Sequence, residues 1–157
     1  MKKRILMITT NPFYKEKGSS LRIYEIAKIL AKNYKVDLVT YSLGKDVEIP
    51  NLNIYRTPQV YKPKVEVNKV SISKITLDIL VLLKSIQLIL KNHYQIIHCE
   101  DFEAAFIGRI ILLVKSKIIL VYDLQCLKHV AAFLLENIIH FYKFPTAVGK
   151  AVGKYGL

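Results

Sequence analysis

The sequence has 157 residues, 52% of them hydrophobic, and a net charge of +12 at pH 7. That is enough chain for one domain with a sizeable core, and it holds too few Gly, Pro and Ser for a disordered one. Two cysteines, Cys99 and Cys126, lie far apart and outside any C-x-x-C, which excludes a disulfide framework or cysteine zinc site and suits a reducing, cytoplasmic setting.

The N-terminal "MKKRILMITT" has too short an apolar run for a secretory signal, and its residues 4–9 read as a buried strand. A loop follows, "TTNPFYKEKGSSLR", and then a helix that Ser19 or Ser20 is expected to cap. Tyr24, Ile26, Ala27, Leu30 and Ala31 make its apolar side, and Glu25, Lys28 and Lys32 the polar one. Residues 35–40 and 52–56 read as the second and third strands. The basic, Pro-containing stretch 57–68 reads as an exposed connection.

A long helix is expected over 71–92. Ile75, Ile79, Leu82, Leu83, Ile86 and Leu90 form its expected core stripe, with a second stripe of Leu77, Val81 and Leu88 opposite. Asp78 and Lys84 keep this stretch short of a membrane span. Residues 95–99 read as a fourth strand. Asp101 is placed to cap a helix running from 102 to about 115, with Glu103 in its first turn. Residues 117–122 read as a fifth strand. The tandem "AVGKAVGK" at 147–154 reads as a weak helix end. Near-continuous apolar strands alternating with helices imply an α/β fold, a doubly wound, mostly parallel, Rossmann-like sheet of about five strands with helices on both faces.

Ligands of such sheets sit at the carboxyl ends of the strands. Three segments reach that edge: the 10–20 loop, "HCEDFE" at 98–103, and "DLQC" at 123–126. In the first, Gly18 would let a ligand approach the backbone, and the N–H groups at the helix start favour an anion. The loop carries neither G-x-G-x-x-G nor a P-loop pattern, and one glycine also fits a plain turn. The second segment holds His98, Glu100, Asp101 and Glu103. A metal or acid–base cluster is one reading. A helix cap beside a strand-end histidine is the preferred one, since no metal-ligand spacing is present. The basic excess gathers between Arg56 and Lys74 and after Lys143, which suits anionic partners or simply a Lys-rich surface.

Residues 1–41, "MKKRILMITTNPFYKEKGSSLRIYEIAKILAKNYKVDLVTY", resemble the opening of family-four-type (group 1) retaining glycosyltransferases. "YQIIHCEDFEAAFIGRI" resembles that family's fourth strand and helix, and "ILVYDLQ" its fifth strand. The resemblance runs from Met1 to about Asp123. It implies one half of a twin-Rossmann (GT-B) fold, the N-terminal, acceptor-side domain. On that reading residues 1–157 are a single domain, incomplete at its C-terminus, without the donor-binding half and its paired glutamates.

The resemblance further implies that Gly18, Ser19 and Ser20 face the donor diphosphate. Phe13, Tyr14 and Lys15, with His98, Glu100 and Asp101, would bind the acceptor. Gln125 stands at the family's catalytic histidine; a glutamine cannot act as a base but can donate a hydrogen bond to a sugar hydroxyl. Lys17 replaces a loop glycine and Glu100 the second histidine of the H-x-H pattern. The implied substrates are a nucleotide-sugar and an acceptor, with no cofactor and no metal. The chain, truncated or split from its donor half, would be inactive by itself, and a second polypeptide is one source of the donor domain.

The alternative function is a non-catalytic basic module on an anionic membrane surface or a phosphorylated ligand. Its membrane form places the chain at the inner face of the membrane through Leu77, Val81 and Leu88. Nucleic acid is not expected as a partner, because no nucleic-acid-binding signature accompanies the charge.

Overall fold

The computed structural model describes residues 2–14, 18–59 and 72–123. The expected 57–68 connection lies mostly outside them. Lys15, Gln125, Cys126 and the 147–154 tandem lie wholly outside. In chain order the elements are β1 (Arg4–Ile8), α1 (Gly18–Asn33), β2 (Lys35–Thr40), β3 (Leu52–Arg56), α2 (Ile72–Lys91), β4 (Ile96–Cys99), α3 (Phe102–Val114) and β5 (Ile119–Tyr122).

The strands form one all-parallel sheet in the order β3-β2-β1-β4-β5. The order reverses direction beside β1. The two chain segments leaving the carboxyl ends of β1 and β4 therefore diverge there and leave a crevice. Register pairs Ile5 with both Val36 and Ile96, so the apolar runs of the three central strands lie side by side.

Side chains alternate across the sheet, and each face has its own core. On one face Met7, Val36 and Leu38 pack with Ile23, Ala27 and Ala31 of α1. On the other, Leu6, Ile8, Val39, Ile97 and Cys99 pack with Leu77, Val81 and Ile89 of α2 and Ile107 and Ile111 of α3. α3 comes in close because residue 108 is glycine. A Cβ there would stand 2.7 Å from Leu120 Cδ1 and 2.8 Å from Cys99 Sγ. Polar residues also hold the sheet. Asp37, fully buried on β2, accepts from Tyr94 Oη (2.6 Å) and Asn53 Nδ2 (2.7 Å), and Arg4 Nε lies 3.0 Å from it.

Three expectations are corrected. Helix α1 begins at Gly18, so Ser19 and Ser20 sit inside its first turn rather than at its cap; the buried Ser20 hydroxyl donates instead to the Pro12 carbonyl at 3.3 Å. Ile23, left out of the expected apolar side of α1, is fully buried. The third correction is larger, because the stripes of α2 are largely exchanged, with only Leu82 and Ile86 of the expected core stripe packing against the core. Leu77, Val81, Ser85, Leu88 and Ile89 face the core, while Ile75, Ile79, Leu83 and Leu90 are half-exposed or more. Asp78 explains the choice. It shares the face of Leu77 and Val81 and accepts a hydrogen bond from Tyr41, a fully buried residue just past β2.

Candidate functional site

The carboxyl ends of β1 and β4 are tied together by one carboxylate. Asp101 caps α3, accepting from the Ala104 N–H at 2.8 Å. The same group accepts from the Thr10 N–H (2.8 Å), Thr10 Oγ1 (2.6 Å), Thr9 Oγ1 (3.1 Å) and Asn11 Nδ2 (3.3 Å). Burial raises the Asp101 carboxyl above its usual range, and the bonds from Thr10 and Ala104 oppose that rise. The acid therefore holds the β1–α1 loop against the start of α3, and its oxygens are occupied by the chain itself.

The loop is held from its other side by Arg56, at the end of β3. Its guanidinium donates to the carbonyls of Phe13 (2.8 Å), Leu43 (2.9 Å) and Lys45 (2.6 Å), and to Asp46 Oδ1 (2.8 Å). Residue 44 must be glycine for this to close. Its φ is +120°, and a Cβ would lie 1.6 Å from the Phe13 oxygen. Thr40 Oγ1 donates to the Asn11 carbonyl at 2.8 Å. The Phe13 ring is fully buried in the α1-side core, while Tyr14 is half-buried and packs on Tyr24 with centroids 5.0 Å apart.

Along β4, His98 and Glu100 emerge on the same side of the strand. His98 Nδ1 lies 2.7 Å from Glu100 Oε1, although the contact is not aligned as a hydrogen bond. Glu100 is fully buried, and its Oε2 has no hydrogen-bond partner among the described residues. A buried acceptor left unmatched costs about 1–3 kcal/mol. Across the edge, Arg22 of α1 pairs with Asp123 after β5. The Cys99 thiol is pushed well up by burial, which removes it as a nucleophile.

Gly18 opens α1, and a Cβ built there would meet nothing within 4 Å among the described residues beyond its own chain neighbours and helix turn. Its absence of a side chain is therefore not required by packing. A concavity of about 990 Å³ follows the edge strand β3, lined by residues such as Glu48, Pro50 and Tyr55, rather than the β1–β4 crevice. Among the described residues no group of three His, Cys, Asp or Glu could hold a metal ion, and no helix is long and apolar enough to cross a membrane.

Thr9, Thr10 and Asn11 were not singled out in the sequence, and Arg56 counted there only as part of the basic excess. The only trace of the first three was a run of hydroxyl and amide residues directly after a buried strand. Lys15 and Gln125 lie outside the described residues.

No protein-family model matches the chain, and no curated protein does. Among solved structures it is similar to the sucrose-phosphate synthase from Thermosynechococcus elongatus, with a TM-score of 0.54 over 84% of this chain at 15% identity. The likeness is one of fold. The chain spans about a third of that protein's length, 35%. The Rossmann-like α/β expectation holds in the five strands, their parallel pairing and the helices on both faces.

Proposed function

We propose that this chain is the acceptor-side half of a glycosyltransferase, taking part in transfer of a sugar from a nucleotide-sugar to an acceptor hydroxyl. The observation that supports it most is the fold likeness to a sugar-phosphate-forming synthase. The polar crevice at the strand ends adds to it. In transfer, the bond between the anomeric carbon and the donor phosphate breaks as the acceptor oxygen bonds to that carbon. The acceptor hydroxyl's proton passes to the departing diphosphate oxygen, which carries away the bonding pair.

Each group has a part on this reading. The N–H groups of Gly18, Ser19 and Ser20 open a helix, where the dipole favours the developing negative charge of the diphosphate. Open space at Gly18 admits a phosphate close to the backbone. Glu100 Oε2, without a donor of its own, would accept from a sugar hydroxyl, with His98 holding the other oxygen. Tyr14 and Lys15 would flank the acceptor, and Phe13 and Asp101 would position the loop. Gln125 would donate to the sugar. The part of the similar protein that this chain leaves unmatched would supply the rest of the donor site, from the same polypeptide or a second one.

Gly18→Val tests this. The residue would fill space that no described residue beyond its neighbours uses, so the fold should stand unchanged by circular dichroism. Nucleotide-sugar binding, followed by amide shifts of residues 18–22, should weaken by about tenfold or more, the size of one lost charge-assisted contact. Equal binding by both proteins would remove the donor loop from the proposal.

A further inference from the structure

The corrected orientation of α2 leaves an apolar surface facing outward. Ile75, Ile79, Leu83 and Leu90 lie at i, i+4, i+8 and i+15, on one side of the helix, and are 50–70% exposed. On the neighbouring α3, Phe106 and Leu113 are 65% and 83% exposed. The two helices run side by side in the same direction. Lys74 pairs with Glu103 near their starts, and Lys115 Nζ donates to the Ile89 carbonyl at 3.3 Å near their ends. The two stripes thus form one face roughly 20 Å long at 1.5 Å per residue. Scattered exposed apolar residues are ordinary in a folded chain, but a continuous face of large ones is not.

Charge decides what fits it. The two helices carry Lys74, Lys84, Lys91 and Arg109 against Asp78 and Glu103. Both acids are engaged, Asp78 by Tyr41 and Glu103 by Lys74. Lys91, Arg109 and, just past α3, Lys117 are exposed. A second copy seated face to face would bring like charges together, on a chain already at +12. An anionic lipid surface accepts both features, the apolar stripe at the acyl boundary and the cations at the headgroups. We propose that the outer face of α2 and α3 docks on an anionic membrane surface. This face lies on the helix layer, so docking would leave the strand-end crevice open.

The test is sedimentation of the full chain with vesicles. Mixed phosphatidylglycerol–phosphatidylcholine vesicles should carry it down and pure phosphatidylcholine should not, with binding weakened by added salt. The double variant Leu83→Ser, Phe106→Ser changes two exposed side chains and should keep the native circular dichroism spectrum. It should lose about tenfold or more in vesicle affinity, the scale expected for two partly buried apolar groups. The charge pair Lys91→Glu, Arg109→Glu, also exposed, should lose a similar factor. No pelleting with anionic vesicles, or equal pelleting by wild type and the double variant, would overturn the proposal. So would a concentration-dependent dimer in light scattering that the double variant abolishes, since that result gives the face to a second copy.

Discussion

Asp101 shows how one side chain serves two elements. Its carboxylate caps α3 and simultaneously takes the hydroxyls and N–H of the loop after β1, about ninety positions earlier in the chain. The cap was legible, because Asp before an apolar helical run carries a local signal. The loop contacts were not, because nothing local links Thr10 to Asp101. The same holds for the Glu100 and His98 pair, whose proximity in sequence gave no sign that Glu100 is fully buried. Asp78 yields a prediction at this scale. Burial raises its carboxyl above the usual 3.8, and the Tyr41 hydroxyl and Lys74 oppose that rise. A group that holds its proton more tightly when folded stabilises the fold at low pH. That contribution fades as pH rises from the ordinary carboxylate range through the raised folded value. Asp78→Asn removes the titration and keeps an oxygen for Tyr41. The stability of Asp78→Asn relative to wild type, read from urea midpoints, should therefore climb between about pH 4 and neutrality. A flat difference across that range would mean that the carboxyl is not raised.

At the scale of elements, the strands were readable and one helix face was not. β1, β2 and β4 are short, mostly apolar runs between two helix layers, and such runs have no second interpretation once helices separate them. α2 is different. Apolar residues surround it, so periodicity yields a helix without saying which side turns inward. Two residues inside the core face, Asp78 and Ser85, even argue against it on polarity. Tertiary contacts decided the orientation: the Tyr41 hydroxyl needs a partner, and Asp78 supplies it. Alanine substitutions should separate the two stripes. Leu77→Ala empties a site that is 5% exposed and should cost about 3 kcal/mol. Leu83→Ala, at 57% exposure, should stay within about 0.5 kcal/mol. Urea unfolding at constant m-value reads both. The reverse order would restore the stripe that the sequence suggested.

At the scale of the whole molecule, charge works against the fold. Basic residues outnumber acidic ones 24 to 12, so half of the cations can have no acidic partner of their own. Among the described residues, some of the pairs that do form lie at the surface. Lys28 and Glu25 stand 3.9 Å apart with both side chains about half-exposed, and Asp46, the partner of Arg56, is 83% exposed. Exposed pairs of this kind are worth about 0–1 kcal/mol each, and salt weakens them. Repulsion among the surplus cations acts over longer distances and in the opposite direction, and salt weakens it too. The two effects predict opposite responses to ionic strength. If pairing dominated, adding sodium chloride would lower the melting temperature. With a surplus this large the repulsion should dominate. Raising salt from about 10 to 150 mM shortens the screening length from about 30 to 8 Å, less than the width of the domain. The melting temperature should therefore rise by a few degrees, as about 1 kcal/mol of repulsion relieved would give in a domain of this size. Calorimetry at fixed pH across that range decides between them, and a fall would show that the ion pairs at the edge of the sheet outweigh the net charge.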